Sequence, residues 1–181
     1  MKDLHTPLTD EMIKDLRAGD MVTITGTIYT ARDAAHKRLT DLISEGKELP
    51  LDMKGQIIYY AGPTPEKPGC VIGSIGPTTS GRMDADATAL RDRCGLKGMI
   101  GKGQRNMSVR RAIVRNVCVY FAATGGAGAL LRKHITGCEI VAYEDLGCEA
   151  IRKLTVDHLP AVVINDIYGA DFYRKETLNN I

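Results

Sequence analysis

Three observations on this chain predict an α/β fold with a mixed sheet and flanking helices. Short β-branched segments alternate with segments of helical spacing through most of the sequence. Strand-like segments then crowd the last third, where helical spacing is scarce. The 181 residues, 44% of them hydrophobic, suit one domain over 1–181 with a proper core. There is no internal repeat or low-complexity tract, and the proline-rich loop at 62–69 is too short to separate domains.

Each element has its own signal. Thr9-Asp10-Glu11 opens a short helix over 12–17, with acids in the first turn and Gly19 beyond its end. Residues 21–29 alternate and are rich in Thr, Ile and Val, so they form a strand. A helix over 31–46 follows from Leu39, Leu42 and Ile43 at helical spacing. Strands are predicted at 56–61 and 71–75, a helix at 83–94, a short strand at 98–100 and a basic helix at 107–115. Residues 117–122 are the clearest buried strand, and 125–133 is glycine-rich and then helical. Three strands at 139–143, 150–156 and 161–165 and a terminal helix at 170–179 complete the reading.

Composition excludes several classes. A net charge of +2 argues against a general nucleic-acid binder. No apolar run approaches the ~18 residues of a membrane span. The start, Met1-Lys2-Asp3-Leu4-His5, lacks a signal-peptide profile, so a cytoplasmic location is expected. Five scattered cysteines (Cys70, Cys94, Cys118, Cys138 and Cys148) show neither a disulfide framework nor metal-ligand spacing. Cys118 reads as a small core residue.

The segment with most chemistry is Gly76-Pro77-Thr78-Thr79-Ser80-Gly81-Arg82-Met83, between an apolar run and a helix. It offers free backbone N–H groups, hydroxyls and one cation, a combination suited to a small anion. Ser80 is a candidate N-cap. Arg82, in the first helical turn, opposes the helix dipole, which an anionic partner would offset. The bland alternative is a capped helix with a solvated arginine. Gly101-Lys102-Gly103 supplies a second cation on a bare loop, or else a flexible turn. Arg32 stands at another strand-to-helix junction, either free for a ligand or paired with Asp33. Ligands of α/β sheets gather at the carboxyl ends of strands, so Arg32, Arg82 and Lys102 are candidates for one site. The turn Thr124-Gly125-Gly126-Ala127-Gly128-Ala129 imitates a dinucleotide-binding loop but lacks its third small residue, so packing is the better reading and a nucleotide-binding oxidoreductase module the weaker one. His134 and Cys138 do not share a helical face, and the basic helix reads as solvated surface.

The 76–84 segment, followed by Met99-Ile100-Gly101-Lys102-Gly103, resembles the C-terminal domain, or separate beta subunit, of class I (iron–sulfur) fumarate hydratases. Gly26-Thr27-Ile28-Tyr29-Thr30-Ala31-Arg32-Asp33-Ala34-Ala35-His36 and Tyr59-Tyr60-Ala61-Gly62-Pro63 extend the resemblance over roughly residues 10–170. The beta subunit of L-tartrate dehydratase is similar. The resemblance implies a swivelling β/β/α domain and the reversible hydration of fumarate to L-malate. It implies a [4Fe–4S] cluster held by a partner alpha subunit, with no metal bound by this chain. Arg32, Thr78, Arg82 and Lys102 would bind the dicarboxylate, and Thr79 would be the catalytic base. An oligomer follows, alpha2beta2 with the partner or a homodimer alone. A threonine hydroxyl is a poor base in water, so it needs desolvation and a neighbouring cation such as Arg82.

Overall fold

The computed structural model describes residues 1–178. Its elements are β1 (Lys2–His5), α1 (Asp10–Lys14), β2 (Met21–Thr30), α2 (Asp33–Ser44), β3 (Ile57–Tyr59), α3 (Asp84–Cys94), β4 (Gly98–Gly101), α4 (Met107–Arg115), β5 (Val119–Ala122), α5 (Gly128–Leu131), β6 (Ile135–Ala142), β7 (Ile151–Asn165), β8 (Ala170–Asp171) and β9 (Glu176–Thr177). A 3-10 turn, Ser80–Met83, leads into α3. No helix among the described residues is long and apolar enough to cross a membrane.

Strands β1 to β5 run parallel, each to the next. The long strand β7 is antiparallel to β2 on one side and to β5 on the other, which closes β2, β3, β4, β5 and β7 into a ring. The period of two along each strand sorts the side chains. Ile57, Tyr59, Ile100, Val119 and Phe121 join the inner core. Ile58, Tyr60, Met99 and Tyr120 face outward, where Ala35, Leu39 and Ile43 of α2, Ala87 and Leu90 of α3, and Val109 and Ile113 of α4 cover them. Strands buried on both faces need the continuous apolar runs seen in this sequence.

Several elements differ from the sequence expectations. Residues 71–75 form no strand: Val71 is exposed, and the backbone of Ser74 bonds to Thr64 instead of a ladder. Only Ile72 and Ile75 reach the core. The strands expected at 150–156 and 161–165 are one strand, β7, bent at His158 (φ 49), whose N–H bonds to Thr25 Oγ1. The strand expected at 139–143 begins earlier, as β6. In place of the terminal helix at 170–179 there is the hairpin β8–β9; Asn179 lies outside the described residues. Asp171 Oδ1 accepts from the backbones of Tyr173 and Arg174, which fixes the turn. The buried Arg110 anchors that hairpin through Asp171 (3.5 Å) and Glu176 (2.7 Å), so the basic helix is not wholly solvated.

The feature that shapes the molecule's carboxyl edge is a wedge. Tyr60 N–H bonds to Ile100 O, the last rung between β3 and β4. Beyond it the chain 77–80 enters between them: Thr78 N–H bonds to Tyr60 O at 2.7 Å, Lys102 N–H to Thr78 O at 3.1 Å, and Ser80 N–H to Lys102 O at 2.9 Å. Gly101 is required there, because a Cβ on it would lie 1.9 Å from Ser80 Oγ and 3.0 Å from the Tyr60 ring. Gly101→Ala is expected to cost about 2 kcal/mol of stability in urea unfolding. Gly81→Ala, whose methyl would meet nothing closer than the Gln104 carbonyl at 3.6 Å, is the control and leaves the midpoint nearly unchanged.

Candidate active site

Arg32 leaves β2 in extended conformation and precedes α2. Its Nε donates to Asp33 Oδ2 at 2.9 Å, and its Nη2 lies 3.4 Å from Glu149 Oε1. The same Asp33 oxygen accepts from Arg82 Nη2 at 2.7 Å. Arg82 Nη2 spends its second proton on Thr78 Oγ1, at 2.8 Å. One carboxylate oxygen therefore joins two guanidinium groups from elements 50 residues apart in sequence. Asp33 holds that position with a φ of 24°, a costly conformation for a residue with a Cβ. Glu149 Oε2 accepts from Ala34 N–H at 2.8 Å and so caps the first turn of α2 from a distant segment. Arg82 remains 47% exposed and Asp33 31%, so the pair between them is weakly held and exchangeable.

Lys102 belongs to the same edge through its backbone. Its bridge to Thr79 and its hydrogen bonds to Thr78 and Ser80 place it beside the hydroxyl turn. Its side chain is exposed, has no ion-pair partner among the described residues, and runs past Gly125. There it borders a depression lined also by Thr124, Phe172 and Tyr173. Arg32 and Arg82 are thus joined through Asp33, and Thr78 through Arg82, whereas Lys102 adjoins them by main chain alone. The cation that a threonine base requires sits on Thr78; Thr79 is exposed and makes no side-chain hydrogen bond to it.

Ser80 does not act as an N-cap. Its side chain turns inward, fully buried, with Oγ 2.9 Å from Tyr120 Oη. Tyr120 Oη is also 2.8 Å from the Gly103 carbonyl, so one phenol ties together the loops that carry Thr79 and Lys102. Because a carbonyl only accepts, the phenol proton goes to Gly103 and the Ser80 hydroxyl can donate in the other bond. Burial pushes the Tyr120 phenol above its ordinary pKa, so it stays protonated. Behind it Arg105, wholly buried, donates to Asp84 Oδ1 at 2.6 Å and lies between the rings of Tyr60 and Tyr120. The other Asp84 oxygen accepts from Asn106 N–H, which fixes the head of α3 against the start of α4.

Sequence reasoning missed Asp33 as a bridge, and with it Glu149, Tyr120 and Arg105. Only Asp33 had a local signal, its adjacency to Arg32. The glycine-rich turn has a packing role: a Cβ on Gly128 would lie 2.8 Å from Ser74 Oγ and 3.1 Å from the Ile75 backbone. Among the described residues no three His, Cys, Asp or Glu side chains come together in a metal-binding group. No three of the cysteines come together among the described residues: Cys118 is buried against the Leu96 carbonyl, with its thiol pushed up to about 12 by burial, and Cys148 is exposed.

Tyr120→Phe deprives Ser80 and the Gly103 carbonyl of a partner. It is expected to cost about 1–2 kcal/mol and to speed amide hydrogen exchange at Ser80 and Lys102, while leaving Val22 on β2 unchanged. Exchange measured residue by residue checks it.

The comparisons with known proteins identify the family of the chain. The family described as Fumarase C-terminus matches residues 2–176. Fumarate hydratase class I, anaerobic, of Escherichia coli is 39% identical over 176 residues, 96% of this chain and 32% of that protein. Fumarate hydratase 1, mitochondrial, of Leishmania major is 36% identical over 179 residues, 97% of this chain and 32% of that protein. The protein of Methanocaldococcus jannaschii named "Putative L(+)-tartrate dehydratase subunit beta" is 35% identical over 180 residues, 97% of this chain and 92% of that protein. The chain thus spans about a third of the fumarate hydratases and nearly all of the beta subunit. With one family model matched over residues 2–176 and relatives above 30% identity across nearly its whole length, this chain belongs to the fumarase C-terminal family.

Proposed function

We propose that this chain is the substrate-binding half of a hydro-lyase of the class I fumarate hydratase type, interconverting fumarate and L-malate together with a partner chain. The observation that carries the reading is the Asp33 oxygen shared by Arg32 and Arg82. A site that already holds a carboxylate between two guanidinium groups can hold a substrate carboxylate the same way, with bidentate geometry available at each arginine. The exposure of Arg82 lets substrate displace Asp33 at small cost. Lys102, without an ion-pair partner among the described residues, is the group for the second carboxylate.

Malate loses hydroxide from one carbon and a proton from the next. As that proton leaves, charge grows on the adjacent carboxylate, and fixed cations there lower the barrier. Arg32, Arg82 and Lys102 supply them. The proton acceptor is a threonine hydroxyl. The family resemblance implies Thr79, but the bond from Arg82 supports Thr78, since a donated hydrogen bond stabilises the deprotonated oxygen. The iron–sulfur cluster belongs, on this proposal, to the partner alpha subunit, a reading supported by the lack of three convergent ligand side chains among the described residues of this chain. Tartrate differs from malate by one hydroxyl, and L-tartrate dehydration is the second reading, favoured by the near-complete coverage of the M. jannaschii beta subunit.

The test is steady-state kinetics of the anaerobically reconstituted pair on L-malate and L-tartrate. Malate is the better substrate. Thr78→Ala lowers kcat at least about 100-fold with little change in KM, and Thr79→Ala lowers it less. A normal rate in Thr78→Ala with loss in Thr79→Ala returns the base to Thr79; normal rates in both reject a threonine base. Full activity of this chain alone contradicts the division between partners.

A further inference from the structure

Beneath the site, six buried polar atoms without a hydrogen-bond partner gather in one region: His36 Nδ1 and Nε2, Tyr60 Oη, Arg91 Nε and Nη2, and Arg105 Nη2. The four residues are at most 2% exposed. They arrive from α2, from the end of β3, from α3 and from the loop before α4. Both guanidinium groups converge on the Met99 sulfur, Arg91 Nη1 at 2.8 Å and Arg105 Nη1 at 3.6 Å. Arg105 Cζ lies 5.2 Å from the centre of the Tyr60 ring, and that ring is 5.8 Å from the His36 imidazole.

The charge does not balance. Asp84 neutralises Arg105, but Arg91 meets only a thioether, a weak acceptor. The nearby carboxylate of Asp92 is committed to Arg115 and Asn116 at the surface. Buried charges are ordinarily paired. The hydrogen-bond inventory is equally one-sided. Guanidinium nitrogens only donate, and Tyr60 brings another donor. Burial, reinforced by the Arg105 and Arg91 charges, holds His36 near a pKa of about 3, so its neutral ring contributes one N–H and one acceptor. A water molecule would bring donors of its own into a region already rich in them. An anion brings only acceptors, and one negative charge.

We propose that His36, Tyr60, Arg91 and Arg105 bind one small monovalent anion, chloride under ordinary conditions, in the core beneath the candidate active site. Its role is to hold Arg105, which in turn fixes Asp84 at the head of α3 and stacks on Tyr120, the residue that ties the two site loops. The proposal does not depend on the reaction catalysed.

The experiment follows thermal unfolding of the full chain as chloride replaces gluconate at constant ionic strength. The midpoint is expected to rise by at least about 3 °C and to saturate. Arg91→Met, which removes the unpaired charge at similar volume, abolishes that response and unfolds in gluconate at or above the wild-type midpoint. A wild-type midpoint indifferent to chloride overturns the proposal, as does a full chloride response in Arg91→Met. Should that variant not fold, anomalous diffraction from wild-type crystals grown in bromide decides. A peak within hydrogen-bonding distance of Arg91 and Arg105 supports the site, and its absence there overturns it.

Discussion

The backbone wedge between β3 and β4 is the constraint on which the candidate site depends. Parallel strands separated by a third segment must find new partners for their N–H and C=O groups, and here the hydroxyl turn supplies them. The same bonds that close the sheet edge set the spacing between the threonines and Lys102. Gly101 makes the approach sterically feasible, and Tyr120 reinforces it from below. The site is therefore built on rigid strand ends, although its residues fall on loops.

Charge is distributed around this frame in two layers. The upper layer, Arg32, Asp33, Arg82 and Glu149, is part-exposed, and its pairs exchange readily for a ligand. The lower layer, Arg91, Arg105 and Asp84, is buried, so breaking its one ion pair, Arg105 with Asp84, would be expensive. Mobile charge above and fixed charge below suits the proposed carboxylate site, in which a substrate would replace Asp33 while the loops that present the arginine and the lysine stay in place.

Much of this was legible in the sequence because it was local. The apolar runs at 56–61, 98–100 and 117–122 mark strands covered on both faces, and the helix at 107–115 was bounded as found. Arg32 could be singled out by its place after β2, and Thr78 and Arg82 by the hydroxyls and cation crowded onto one turn. What could not be read depends on distant partners. The C-terminal hairpin needs Arg110 against Asp171, 61 positions away. β1, with Leu4 as its one buried side chain, has too little pattern to announce itself. The bend at His158 relies on Thr25, and Arg82 donates to Thr78 and not to Thr79 because successive residues of the wedge diverge.

The central claim, that a dicarboxylate is held where Asp33 now bridges two arginines, is tested most directly by a crystal structure of the reconstituted complex with bound L-malate. The claim predicts one malate carboxylate on Arg32 and Arg82, with Asp33 released from at least one of them, and the other carboxylate within reach of Lys102. Malate seated elsewhere, with the Asp33 bridge intact, would contradict it.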